Sequence, residues 1–355
     1  MERAAERQLL IVRLSSMGDV IHTLPAAAAL RKALPEASIG WVIEERWSEL
    51  LCARGYPLDG PLSEGKPLVH RVHSVRTKQW RRRPLAPATW ADLRSSLGEL
   101  RKARYDTAID FQGAIRSAMI ARWSGAREIV GFAAPRETPA RWFYKRRLRT
   151  QAAHVIEQNL ALAAALTGTA ESPPAIVPRD PAAEAWCDRY FEETKPKPIV
   201  LLNPGAGWGA KQWPAERYGA AARELARDGY TPVVNYGPGE EELAQAVVSG
   251  SDGAAQPVRC SLGELIALTR RASLFVGGDT GPLHLAAALH VPVVAIFGPT
   301  DPARNGPLGT RSIVLRSTAS ITSHSRRAQA EPGLLRITAD QALAAARDLL
   351  SGSAA

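Results

Sequence analysis

The chain has 355 residues, 45% of them hydrophobic, with three cysteines and a net charge of +10. That length allows two domains, each with its own core, and no apolar stretch approaches the roughly 20 residues that a membrane-spanning helix needs. Cys52, Cys187 and Cys260 lie far apart and without metal-ligand spacing, so three unpaired thiols are expected rather than a zinc site or a disulfide scaffold.

The charge is unevenly placed. Residues 1–170 hold 27 Lys/Arg against 16 Asp/Glu, while the remainder holds 18 against 19. The whole basic excess lies in the first half, which therefore suits an anionic partner: nucleic acid, anionic lipid or an acidic small molecule. The charged start, MERAAERQLLIV, runs straight into a strand-like segment and does not read as a signal peptide, so a cytosolic protein is expected.

In chain order, QLLIVRL (8–14) predicts a strand, VIHTLPAAAALRKAL (20–34) a helix and SIGWVIEE (38–45) a second strand. YDTAIDFQG (105–113) reads as strand and turn, and AIRSAMIARWSG as the helix after it. The proline-rich stretch ESPPAIVPRDP marks a linker, placed at 173–181. Beyond it the pattern repeats. PIVLLNPGAG (198–207) is strand plus glycine loop, ERYGAAARELARDG (216–229) an amphipathic helix, and TPVVNYGPGEEE (231–242) strand, loop and helix start. SLFVGGDTG, PLHLAAALH and VPVVAIFGPTDP follow as strand and turn, helix, and strand. The segment after residue 316, STASITSHSRRAQAEPG, is polar and expected to be loose, and ADQALAAARDLLSG (339–352) predicts a last helix. Strand–helix alternation in both halves predicts two α/β domains built on parallel sheets, two copies of one architecture with a cleft between them.

Four groups of residues are candidates for chemistry. Asp19 ends SSMGD just after a buried-looking strand, where open α/β sheets place their sites; it suits a general base, or simply the N-cap of the helix starting at Val20. Asp279 and His284 flank a glycine turn whose bare N–H groups, at Thr280 and Gly281, suit a phosphate; a cap with a tight turn is the plainer alternative. Asp-Thr-Gly also occurs in aspartic proteases, but those pair two such motifs on β-rich folds. Lys211 follows the glycine loop NPGAGWGA, which is neither a Walker A loop nor a dinucleotide fingerprint, and can neutralise a phosphate. Glu240, Glu241 and Glu242 open a helix; at least two of them are expected on its solvated face, and one suits ribose hydroxyls. Two basic runs, HRVHSVRTKQWRRR (70–83) and RWFYKRRLR (141–149), read as solvated loops. No helix-turn-helix, RNP or zinc-finger pattern accompanies them, and anionic lipid headgroups or an acidic glycolipid fit them as well as nucleic acid does.

Together these segments resemble the ADP-heptose:lipopolysaccharide heptosyltransferases, glycosyltransferase family 9, over most of the chain. The strongest stretches are 9–47, 105–125 and 275–302. The resemblance implies an inverting enzyme of GT-B fold, two Rossmann-like domains facing across a cleft. It implies an acceptor-binding domain at 1–172, a nucleotide-sugar domain at 182–337, and a C-terminal helix, 338–355, packing back toward the first domain. It makes Asp19 the general base. It makes Lys211, Glu240, Asp279, Thr280, Gly281 and His284 the donor site for ADP-heptose, with no required cofactor or metal. Arg76, Lys78, Arg81, Arg82, Arg83, Arg116 and Arg146 would meet an anionic glycolipid of the Kdo–lipid A type. It further implies a cytoplasmic protein, peripheral at the inner membrane, with no nucleic-acid partner. The N-terminal segments look like first-heptose members, whereas PGAGWGAK, with Ala206 and Gly207, looks more like members that add later heptoses. Rival readings are a transferase with another nucleotide sugar or acceptor, a GT-B-like nucleotide-sugar epimerase, and a non-catalytic binder of anionic glycolipid or nucleic acid.

Overall fold

The computed structural model describes residues 7–323 and 328–352. The chain divides into two units between Arg179 and Asp180, inside the proline-rich segment.

The first unit contains β1 (Gln8–Val12), α1 (Met17–Ile21), α2 (Leu24–Ala33), β2 (Ser38–Glu44), β3 (Arg71–Val75), α3 (Thr77–Arg82), α4 (Pro87–Lys102), β4 (Thr107–Asp110), α5 (Ile115–Trp123), β5 (Glu128–Phe132), β6 (Arg146–Leu148) and α6 (Val155–Thr167). Its six strands form one parallel sheet in the order β3-β2-β1-β4-β5-β6. The central strands are covered on both faces: α2 packs with α6, and α5 packs on β1 and β4. This double cover is why QLLIV and SIGWVIE read as near-continuous apolar runs. The helix expected over 20–34 is two helices. The first ends at Ile21, and α2 restarts with Pro25 in its first turn, where the missing N–H costs nothing.

The second unit contains α7 (Pro181–Thr194), β7 (Ile199–Asn203), α8 (Ala215–Arg227), β8 (Thr231–Tyr236), α9 (Glu241–Gly250), β9 (Gln256–Arg259), α10 (Leu262–Arg270), β10 (Leu274–Gly278), α11 (Gly281–Ala288), β11 (Val293–Phe297), α12 (Pro302–Asn305), β12 (Ser312–Arg316) and α13 (Ala339–Ser351). Its parallel sheet runs β12-β11-β10-β7-β8-β9. Numbered within its own half, that is the order of the first sheet read from the other edge. In both sheets the chain therefore reverses direction between the first and fourth strands, at β1/β4 and at β7/β10. Loops leaving the carboxyl ends of strands at such a switch point leave a crevice open for ligands.

The last helix packs within the second unit. Leu343, Ala346 and Leu349 of α13 are buried in the core shared with Leu225, Val276 and Val294, and Arg347 pairs with Asp228 at 2.7 Å. The apolar stripe of α13 is matched by the one on α8, which explains the choice. The polar segment before it is ordered as well, over its described part. Glu331 N–H donates to the Ala210 carbonyl at 3.2 Å, and the Ile337 carbonyl accepts from the buried Trp213 indole at 2.9 Å. Residues 328–337 thus brace the loop that carries Lys211. Residues 324–327 of the expected loose segment lie outside the described residues.

Candidate active site

At the first switch point, the turn after β1 runs into α1. Asp19 is not the N-cap of its helix. Ser16 takes that place, and Asp19, in the first turn, reaches back so that Oδ2 accepts from Ser16 N at 2.8 Å and Ser16 Oγ at 3.0 Å. Its Oδ1 accepts from Arg13 Nη2 at 2.6 Å. Arg13 is 6% exposed, and its Nη1 donates to the Phe111 carbonyl in the loop after β4. A third of the Asp19 side chain remains open to solvent. Burial alone would raise its pKa, but the Arg13 charge and the Ser16 hydrogen bonds outweigh it and bring the carboxyl down to about 2. Asp19 is therefore an ionised, oriented carboxylate at neutral pH, with lone pairs left to accept a hydroxyl proton.

Behind it lies a buried polar scaffold. Gln112 Oε1 accepts from Leu14 N at 2.8 Å, tying the β1 and β4 loops together. Asp110, fully buried, accepts from Gln112 N, Gly113 N, Ser117 Oγ and Tyr144 Oη at 2.7–3.1 Å. Burial pushes its pKa up against these four donors. Gly113 closes the turn at φ +65°, and a Cβ there would press on Pro135 and Arg136.

The expected acceptor cations do not all gather. Arg76 follows the carboxyl end of β3 and pairs with Glu45 at 3.0 Å and, more loosely, with Asp92 at 3.6 Å. Lys78, Arg81, Arg82 and Arg83 are exposed on and just after α3, and Arg116 is exposed in the first turn of α5. All six follow carboxyl ends of strands in the first sheet. Arg146 does not. It lies on β6, at the opposite edge of the sheet from β3, and faces Glu128 at 3.7 Å near the start of β5.

At the second switch point Lys211, Asp279 and His284 converge in one chain of contacts. Lys211 Nζ lies 2.6 Å from Asp279 Oδ2 and 3.2 Å from the Asp279 carbonyl. Asp279 Oδ1 is 3.0 Å from His284 Nε2. Burial would raise the Asp279 pKa, but the His284 hydrogen bond and charge, with Lys211, hold it well below the usual carboxylate range. Lys211 also sits 4.6 Å over the Trp208 ring. Thr280 is the N-cap residue of α11 and Gly281 its first residue. The turn therefore points helix N–H groups and the positive end of the helix dipole outward beside the Lys211 ammonium.

Glu240 sits across the loops after β7 and β8. Its Oε2 accepts from Gly237 N at 2.8 Å, and its carboxylate lies so close to Gly205 that a Cβ there has no room. Asn203 holds the β7 loop, donating to the Gly205 carbonyl at 3.0 Å and accepting from Asn235 at 2.9 Å. Among the described residues no group of three His, Cys, Asp or Glu is placed to hold a metal ion.

The sequence reading missed Arg13, Asp110, Gln112, Trp213 and Glu331. The signal for Arg13 was present: a lone charge in an apolar run, one turn of chain ahead of Asp19.

Two α/β units with parallel sheets of one strand order, one carrying an ionised, open carboxylate at its switch point and the other a lysine beside a helix start, have the architecture of the GT-B class. The sequence model of glycosyltransferase family 9 (heptosyltransferase) matches residues 94–334, and the chain belongs to that family. It is 30% identical over 315 residues to lipopolysaccharide heptosyltransferase 1 of Pseudomonas aeruginosa, covering 87% of this chain and 84% of that one. Among solved structures, the family 9 glycosyl transferase of Veillonella parvula superposes with a TM-score of 0.82 at 23% identity, over 98% of each chain. The Escherichia coli heptosyltransferase WaaC with ADP-2-deoxy-2-fluoro heptose superposes with a TM-score of 0.73 at 26% identity, over 98% of this chain and 100% of that one.

Proposed function

We propose that this enzyme transfers heptose, with inversion, from ADP-L-glycero-D-manno-heptose to the Kdo end of the lipopolysaccharide inner core, with Asp19 as general base. The observation that carries the reading is the Lys211–Asp279–His284 chain at the start of α11. It sets a cation beside a helix N-terminus, a pair that suits the charge developing on a diphosphate leaving group. Lys211 and the N–H groups of Thr280 and Gly281 hold the diphosphate. Asp279, kept ionised and oriented by its two partners, accepts from heptose hydroxyls, and Glu240 accepts from the ribose.

Asp19 accepts the proton of the acceptor hydroxyl as that oxygen attacks the anomeric carbon from the face opposite ADP. The C–O bond to ADP breaks in the same displacement, so the configuration inverts. A carboxylate with a pKa of about 2 is a weak base, suited to a proton transfer that comes late, once the attacking hydroxyl has become acidic. Arg76, Lys78, Arg81, Arg82, Arg83 and Arg116 supply the positive surface for Kdo carboxylates and lipid A phosphates; Arg146, across the sheet, is left out of this set. Addition of the first heptose is favoured by the name of the Pseudomonas aeruginosa relative. The enzyme works without a metal cofactor, at the cytoplasmic face of the inner membrane.

The test is to follow ADP release with ADP-heptose and a de-acylated Kdo2-lipid A acceptor, and to read the product's anomeric configuration by NMR. ADP released only with acceptor present, and an anomer opposite to the donor's, is expected. A retained anomer would overturn the single displacement, and release with another nucleotide sugar alone would reassign the donor.

A further inference from the structure

The acceptor of the proposed reaction is anchored in a bilayer, yet among the described residues no helix is long and apolar enough to cross one. A specific face of the protein must then reach the lipid surface, and α4 carries a candidate that the chemistry above does not use.

The inner side of this 16-residue helix is fixed. Leu100 is buried in the core of the first unit, and Leu97 and Trp80 pack against it. Trp80 Nε1 donates to Asp92 at 2.6 Å, and Arg76 faces the same carboxylate, so Asp92 is neutralised from within. The outer side of this helix is exposed among the described residues. Trp90, Ala91, Arg94, Gly98, Glu99 and Lys102 are among the residues that line a shallow open depression along it. These positions recur at helical spacing, so they share one stripe.

Two large apolar side chains stand out into solvent here. Trp90 is 58% exposed, and Leu85, in the loop leading into the helix, is 89% exposed, the highest among the large exposed apolar residues. Water is a poor environment for both, and both stay exposed among the described residues. The charge around them is one-sided. Residues 76–104 contain nine Lys/Arg and two Asp/Glu; Asp92 faces Arg76, and Glu99, which lines the depression, is outnumbered there by Arg94 and Lys102. A helix with a tryptophan and small residues on its outer stripe, flanked by Arg94, Arg101 and Lys102, lies flat at a headgroup boundary. Its indole sits among glycerol groups and its cations lie on lipid phosphates.

We propose that the outer face of α4, with Leu85, is the surface by which this protein rests on an anionic bilayer. It rests on the reading of the acceptor as a membrane-anchored anionic glycolipid. The same segment carries Arg81, Arg82 and Arg83, so seating α4 on the lipid brings the acceptor-binding cations to headgroup level. The face is distinct from the residues assigned to chemistry. Altering it should cost membrane contact while leaving the site intact.

The test compares the full-length protein with two double variants, Leu85→Ser/Trp90→Ser and Arg94→Glu/Lys102→Glu. Co-sedimentation uses vesicles of phosphatidylglycerol and phosphatidylethanolamine, with pure phosphatidylcholine vesicles alongside. The parent is expected on the anionic vesicles and not on the neutral ones. Each cation removed should weaken binding roughly fivefold, more where its sign is reversed, and loss of the two apolar anchors should weaken it tenfold or more. Turnover of a soluble de-acylated acceptor should match the parent in both variants, while turnover of the same acceptor embedded in vesicles falls. Equal thermal unfolding shows that the fold is kept; both sites are exposed, and two independent variants guard against the loss of one. Variants that sediment like the parent would overturn the assignment of this face. If the parent binds anionic vesicles but turns over no soluble acceptor, the proposed reaction fails while the docking face stands.

Discussion

Replacing Arg13 by Met removes the guanidinium from Asp19 and keeps most of the stem's volume. The consequence follows from which influences then remain on the carboxyl. Burial raises its pKa; the Arg13 charge, acting across 2.6 Å, is the largest influence holding it down to about 2. Without that charge the two Ser16 hydrogen bonds and the nearby His22 are left to oppose burial, and the pKa is expected to rise toward the unpaired value of 3.8. In the parent, a carboxyl depressed below its unfolded pKa contributes stability that is fully present above pH 3.8 and lost as the pH falls through about 2. In the variant that contribution shrinks as the pKa nears 3.8.

Breaking a buried ion pair costs about 3–5 kcal/mol, and the third of the Asp19 side chain that is exposed argues for somewhat less, about 2–3 kcal/mol at neutral pH. For a unit of this size that lowers its melting temperature by roughly 5–10 °C, and by less at pH 3 than at pH 7. Activity supplies the second reading. The parent's kcat/KM should show no acid limb from Asp19 down to about pH 4, whereas the variant's should fall with a midpoint raised toward about pH 4. A variant whose pH profile and melting temperature both match the parent's would refute the view that Arg13 sets the state of this carboxylate.

Lys211→Met is expected to weaken ADP binding about 10- to 100-fold by calorimetry, the worth of one or two charge-assisted hydrogen bonds; unchanged affinity would remove Lys211 from the diphosphate site. If Glu240 holds the ribose, the parent binds ADP about tenfold more tightly than 2′-deoxy-ADP, and Glu240→Gln narrows that gap; an unaltered gap would return Glu240 to a purely structural role. Turnover is expected to be unaffected by EDTA, and loss of activity restored by a divalent cation would contradict the metal-free reading.

The alternation of strands and helices was legible because doubly covered parallel strands are apolar throughout and carry no competing pattern. β1, β2, β7, β10 and β11 were all read from sequence on that basis. The strands that went unread include those toward the edges, where the same rule fails. RVHSV of β3 and RRL of β6 are charged and partly solvated, so 70–83 and 141–149 looked like basic loops. In fact β3 runs directly into α3, which lifts Arg81 and Arg82 onto a helix, while β6 carries Arg146 to the far edge.

The turn that carries Asp279, Thr280 and Gly281 was legible because it joins an apolar strand to a helix start. What the sequence hid were partners distant along the chain. Arg13 meets Phe111, Leu14 meets Gln112, and Ala210 meets Glu331 through single hydrogen bonds with no periodic signature. The C-terminal helix was legible as a helix, and its partner within the second unit was not. An amphipathic stripe states that a partner exists, and only the matching stripe on α8 determines which one.

The most direct measurement is mass spectrometry of products from purified enzyme, ADP-heptose and de-acylated Kdo2-lipid A, run beside Asp19→Asn. Asparagine keeps an oxygen to accept from Arg13 but turns its amide NH2 toward Ser16, so the melting temperature is read beside the rate, and a loss of rate with the fold kept reads on proton transfer. One added heptose mass with the parent is expected, falling by about 100-fold or more in the variant. The same heptose added equally by both would contradict Asp19 as the base, and no added mass with the parent on this acceptor would contradict the transfer itself.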